Sequence, residues 1–122
     1  MRWPLVSGCV VALGGTAAAA APRTPIPASC ADGGQNQRAH ETGRRQGSNL
    51  VESAWAAVKR DCRQRARVEQ SVRDALGRRV TPAGASEALT CRDTGFRAGA
   101  TEALADIEAA CTGKEFSPGG RR

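Results

Sequence analysis

Hydrophobic positions recur along this chain at helical spacing in three stretches. Leu50, Val51, Ala54, Trp55, Val58 and Cys62 form one stripe. Val68, Val72, Ala75 and Leu76 form a second, and Phe96, Ala100, Ala103, Leu104, Ile107, Ala110 and Cys111 a third. No stretch alternates apolar and polar residues for long enough to make a strand. The pattern predicts an all-α fold, a small helical bundle of about three helices.

Polar positions and breakers set the boundaries. Residues 37–76 contain no proline, yet the stripes before and after Cys62 do not share a phase. Asp61-Cys62-Arg63-Gln64 supplies an N-cap followed by Gln at the third position, so the helix is expected to break there. Gly77 ends the second pattern, Thr81-Pro82-Ala83-Gly84 is a loop, and Ser86-Glu87 begins the third helix. Gly113 is a natural stop. The predicted helices cover about 37–61, 63–77 and 86–111.

The ends read differently. Arg2, the uncharged run Trp3 to Leu13 and the small residues Ala17 to Ala21 have the layout of a secretory signal peptide over 1–21, with the mature chain starting near Pro22. The apolar run is short for a membrane span, which needs about 20 residues. Val6-Ser7-Gly8-Cys9 resembles a lipobox, but too few residues precede it. Residues 22–36 form a Pro/Gly-rich linker, 37–113 the helical domain and 114–122 a disordered tail.

A fragment recurs within this frame. Thr42-Gly43-Arg44-Arg45-Gln46-Gly47 and Thr94-Gly95-Phe96-Arg97-Ala98-Gly99 both read T-G-x-R-x-G. Each is followed by a helical stripe that reaches a cysteine, Cys62 or Cys111. Glycine inside a helix costs about 1 kcal/mol relative to alanine. Pairs at i and i+4 leave a patch without side chains, which is expected to serve close helix packing through Gly43, Gly47, Gly95 and Gly99.

Composition makes cross-links important. Beyond the signal segment the aromatics are Trp55, Phe96 and Phe116, so the core is built from small aliphatics. Cys30, Cys62, Cys91 and Cys111 remain, an even number in a short exported chain, and two disulfides are expected. Cys91 and Cys111 on one continuous helix lie about 30 Å apart along its axis, whereas bonded cysteines have Cα atoms about 4.4–6.8 Å apart. That excludes Cys91–Cys111 and with it Cys30–Cys62. Parallel first and third helices give Cys30–Cys91 with Cys62–Cys111, and antiparallel ones give Cys30–Cys111 with Cys62–Cys91. The repeat places Cys62 and Cys111 at matching helix ends and favours the parallel arrangement.

Charge and candidate chemistry add less. The formal net charge is +6. Residues 37–80 hold eleven basic and five acidic side chains, and residues 86–111 two basic and five acidic, so the third helix is placed to neutralise part of the rest. The densest basic run holds Arg60, Arg63, Arg65 and Arg67, a candidate binding surface for an anionic envelope component. No aromatic platform accompanies it and the chain is expected to be exported, which argues against nucleic acid. No metal is expected, because no two cysteines are close in sequence and His40 is the single histidine. No C-x-x-C, G-x-S-x-G, phosphate loop or H-E-x-x-H occurs, so neither a cofactor nor an enzymatic activity is expected. His40 reads as a surface residue, and Glu102 and Asp106 as parts of a solvated face. The expected function is a periplasmic or secreted binding or inhibitor module with an unknown protein partner. The alternative is a structural or stress-related envelope protein whose basic face rests on anionic surfaces.

Overall fold

The computed structural model describes residues 23–115, with side chains as far as Gly113. The predicted signal segment and the end of the predicted tail lie outside the described residues. Three helices, α1 (Gln35–Ala57), α2 (Arg65–Arg78) and α3 (Glu87–Glu115), are joined by short connections. A 3-10 turn, Ala28–Cys30, precedes α1, and another, Cys62–Gln64, precedes α2. The described residues contain no strand, and the fold is an all-α, disulfide-linked bundle.

Local chemistry explains the boundaries. Asp32 accepts hydrogen bonds from the backbone N–H groups of Gly34 and Gln37, at 2.9 and 3.1 Å, while the Gln37 side chain accepts from Gly33 N–H at 3.0 Å. This reciprocal arrangement starts α1 at Gln35, inside the segment read from sequence as linker. The first helix was expected to reach residue 61 but ends at Ala57. Lys59 and Arg60 take left-handed backbone angles, with φ of 59° and 53°, and the Arg60 N–H returns to the Trp55 carbonyl at 3.0 Å. The sharp turn carries Cys62 towards Cys111. Asp61 caps the following 3-10 turn through the Arg63 N–H at 3.0 Å, so the predicted break is present and α2 begins two residues later than expected. Ser86 accepts from the Leu89 N–H at 3.1 Å and opens α3 as the sequence indicated. Gly113 does not stop that helix, which runs to Glu115.

α1 and α3 are parallel, and the glycines define their contact. An ideal Cβ on Gly43 would lie 1.9 Å from the Arg92 carbonyl oxygen, and one on Gly47 2.0 Å from that of Phe96. In return, a Cβ on Gly95 would lie 2.0 Å from the His40 oxygen and one on Gly99 2.0 Å from that of Arg44. A shift of 52 residues converts each contact of one helix into a contact of the other, so the repeat builds a pseudo-twofold interface. Side chains usually hold packed helices about 8–10 Å apart. Here backbone meets backbone, and the hydrogen in each missing Cβ position points at a carbonyl, the geometry of a weak Cα–H···O contact.

Below the glycines the interface changes character. Val51, Trp55, Val68, Val72, Ala100, Ala103, Ile107 and Cys111 form the buried core, flanked by Leu50, Ala54, Val58, Leu76 and Leu104. α2 returns along the pair and contributes to this core through Val68, Val72 and Leu76. The disulfides are Cys30–Cys91, with Cα atoms 5.7 Å apart, and Cys62–Cys111, at 5.6 Å. They tie opposite ends of the parallel pair, in the connectivity that the repeat favoured.

Candidate functional site

The glycine packing leaves a polar recess beside the α1/α3 seam. It has a volume of about 420 Å³, and its walls include Glu41, Arg44, Arg45 and Ser48 of α1 and Glu102 and Asp106 of α3. Arg23, from the chain before the first turn, forms part of its rim. At its base lies Glu102, 8% exposed. The sequence placed Glu102 on a solvated face. Instead, the removal of side chains at Gly95 and Gly99 draws α3 against α1 and buries the carboxylate next to Arg44.

Four donors satisfy Glu102. Arg44 approaches from α1, with Nε 3.1 Å from Oε1 and Nη2 3.4 Å from Oε2. Arg23 Nη1 reaches Oε1 at 3.2 Å, and the Thr24 backbone N–H reaches Oε2 at 2.7 Å. Burial pushes the Glu102 carboxyl upward, but the Thr24 N–H and the Arg44 and Arg23 guanidinium groups outweigh it and leave its pKa below the ordinary value. The recess therefore holds an ionised, desolvated carboxylate at neutral pH. Arg45, on its wall, has no carboxylate partner among the described residues.

His40 was also expected at the surface and is instead 1% exposed. Neither ring nitrogen has a hydrogen-bond partner among the described residues. Burial, then the nearby Arg44 charge, lowers the His40 pKa against the opposing pull of Glu41 and Glu102, so the imidazole is neutral near pH 7.

The arginine run is largely self-compensated. Arg60 pairs with Glu52 at 3.4 Å, Arg63 with Asp61 at 3.0 Å and Arg65 with Glu108 of α3 at 3.6 Å, while Arg67 donates to the Gln64 side chain at 3.1 Å. The Arg65–Glu108 and Arg44–Glu102 pairs realise the expected neutralisation by the third helix. A further pair does the same at the loop before α3. Asp93 receives Arg79 Nε at 2.9 Å, Arg97 Nε at 3.1 Å and the Thr81 hydroxyl at 2.9 Å. The Arg79 guanidinium stacks 3.9 Å from the centre of the Phe96 ring. Burial raises the Asp93 pKa, but its bonds to Arg97, Thr81 and Arg79 bring it below the ordinary value.

Sequence reading missed Arg23, Arg44, Asp93 and Glu102 as partners. Arg44 occupies the variable position between two glycines of the repeat, directly beside the seam, and that position was the available clue. Among the described residues no group of His, Cys, Asp and Glu side chains could hold a metal ion, and no helix is long and apolar enough to cross a membrane. The chain matches no protein-family model, no curated protein and no solved structure.

Proposed function

We propose that this chain is an exported binding or inhibitor module of the bacterial cell envelope that performs no catalysis of its own. The observation that supports the reading is the pairing of Cys30 with Cys91 and Cys62 with Cys111 across both ends of a glycine-packed helix pair. Disulfides persist in the periplasm and outside the cell, where small domains with thin cores depend on them. A scaffold held in this way presents a preformed surface, which lowers the ordering cost of association. The recess beside Glu102 combines anionic and cationic walls, a mixture suited to a polypeptide partner.

Immobilised, oxidised protein exposed to an envelope extract at low salt tests the reading. A saturable protein partner that is lost when the disulfides are reduced supports it, and retention of nothing contradicts it. The net charge of +6 favours the second reading, a structural envelope protein resting on anionic surfaces. Sedimentation with liposomes separates the two. Salt-sensitive binding that requires anionic lipid supports the second, and binding indifferent to lipid charge and salt excludes it.

A further inference from the structure

We propose that the recess over Glu102 is a receptor for an extended, arginine-bearing segment of a partner polypeptide, and that Arg23 and Thr24 occupy it as a displaceable internal ligand. This inference rests on the binding-module reading and names the chemistry of the partner.

The carboxylate of Glu102 has two kinds of donor. Arg44 belongs to α1, packs beside the glycine seam and stays with the helix pair. Arg23 and Thr24 belong to an irregular segment containing Pro25 and Pro27, whose residues 23–25 are exposed. The Arg23 side chain is 75% exposed although its partner is 10% exposed. Among the described residues, 23–26 make no hydrogen bond or ion pair beyond those to Glu102. An ion pair with one partner so exposed holds weakly. The strap is therefore bound by one guanidinium and one backbone N–H, and any extended Xaa-Arg-Xaa segment can supply both. Departure of the strap would open that side of Glu102 to water, with Arg44 still in place, and an incoming guanidinium and N–H that displace this water restore the two charge-assisted bonds. Glu41 on the wall adds attraction for a cation and offsets the charge of Arg45 there, and Ser48 offers a hydroxyl to a passing main chain.

The internal ligand is tethered through Cys30, which the disulfide fixes to α3. A short tether gives an effective concentration on the order of millimolar, so the strap competes with an incoming segment and sets a threshold for its affinity. This gives the recess selectivity: a segment lacking arginine gains nothing from displacing the strap.

The test uses the whole mature chain. Arg23→Ala combined with Thr24→Pro removes the guanidinium and the backbone N–H that hold the strap. The probe is an acetylated and amidated peptide copying residues 22–27, with a second peptide carrying alanine in place of arginine. Calorimetry should show the arginine peptide binding the double variant about tenfold or more tightly than the unchanged chain, and the alanine peptide binding neither. Equal binding to both chains, or no binding to the double variant at about millimolar peptide, overturns the proposal. Should the double variant lose its helical circular dichroism, Arg23→Ala alone, a change at an exposed side chain, must show the same ordering with a smaller ratio. Adding the arginine peptide to the envelope-extract experiment keeps the two ideas apart. A partner whose retention is unaffected by excess peptide leaves the binding module standing and removes this site. Peptide binding without any envelope partner upholds the receptor site and removes the envelope reading.

Discussion

α3 meets its two neighbours by different physics. Against α1 it has surrendered side chains at Gly95 and Gly99, and the contact is made by backbone atoms that tolerate no added Cβ. Against α2 it packs through Ile107 and Leu104 onto Val68, Val72 and Leu76, an ordinary hydrophobic seam that can adjust. Both ends of the first contact are also covalently tied, whereas α2 takes part in no disulfide itself. A chain poor in aromatics has thus divided its stability between the rigid α1/α3 pair and a softer α2. The rigid pair builds the recess, because backbone contact brings Arg44 and Glu102 together.

The largest expected effect is the loss of the two cross-links. They span 61 and 49 residues, and in the chain-entropy account loops of this size are worth about 4 kcal/mol each. Small domains have about 5–15 kcal/mol in all. Reduction under non-denaturing conditions should therefore unfold the domain or lower its melting temperature by tens of degrees, as followed by circular dichroism. A reduced protein that melts near the oxidised one would show that the side-chain core alone suffices.

Next comes the glycine seam. Gly47→Ala forces its Cβ into the Phe96 carbonyl and should cost about 4 kcal/mol or more in denaturant unfolding. Gly77→Ala, in α2 with open space around it, should be neutral or stabilising by about 0.5 kcal/mol. Equal effects of the two substitutions would mean that α1 and α3 are not in backbone contact. On the softer side, Val72→Ala removes two buried methyl groups and should cost about 2 kcal/mol while leaving the disulfide pattern and the recess intact. A cost as large as that of Gly47→Ala would erase the distinction between the two seams.

Acid acts on the rigid pair more gently. The folded pKa of His40 lies below 6.5, so the unfolded chain binds its proton first, and stability falls as pH drops below about 6.5. Glu102 and Asp93 also have lowered folded values, so their contribution is lost at lower pH, below about 4.5. Melting temperature against pH should decline in these two steps. His40→Leu should abolish the upper step and raise stability at neutral pH by about 1 kcal/mol, because an unpaired imidazole leaves the core. Persistence of the upper step in that variant would assign it to another group.

The helices were legible because their stripes, caps and breakers are local. Ser86 opens α3 and Asp61 marks the break before α2, as the spacing indicated. Parallel packing was favoured over antiparallel because the repeat puts Cys62 and Cys111 at matching helix ends. The recess was not legible. Glu102 and His40 are polar side chains of the kind that usually faces solvent, and only the close approach of two backbones buries them. The end of α1 escaped for a related reason. Lys59 and Arg60 have no preference for left-handed angles, and the closure to Cys111 imposes them. Arg60, Arg63, Arg65 and Arg67 read as a candidate binding surface partly neutralised by the third helix, and the fold pairs Arg65 with Glu108 of α3 and Arg60 with Glu52 of α1, a partner the spacing did not indicate.

Two disulfides lock the parallel helices α1 and α3 at both ends, and the proposed export puts that lock in an oxidising compartment. Peptide mapping of the protein recovered from the exported fraction, digested without reduction, tests it most directly. Two linked pairs are expected, Cys30 with Cys91 and Cys62 with Cys111, and no free thiol among these four. A linked pair of Cys62 and Cys91 peptides would make α1 and α3 antiparallel, and four free thiols would remove both the lock and the export reading.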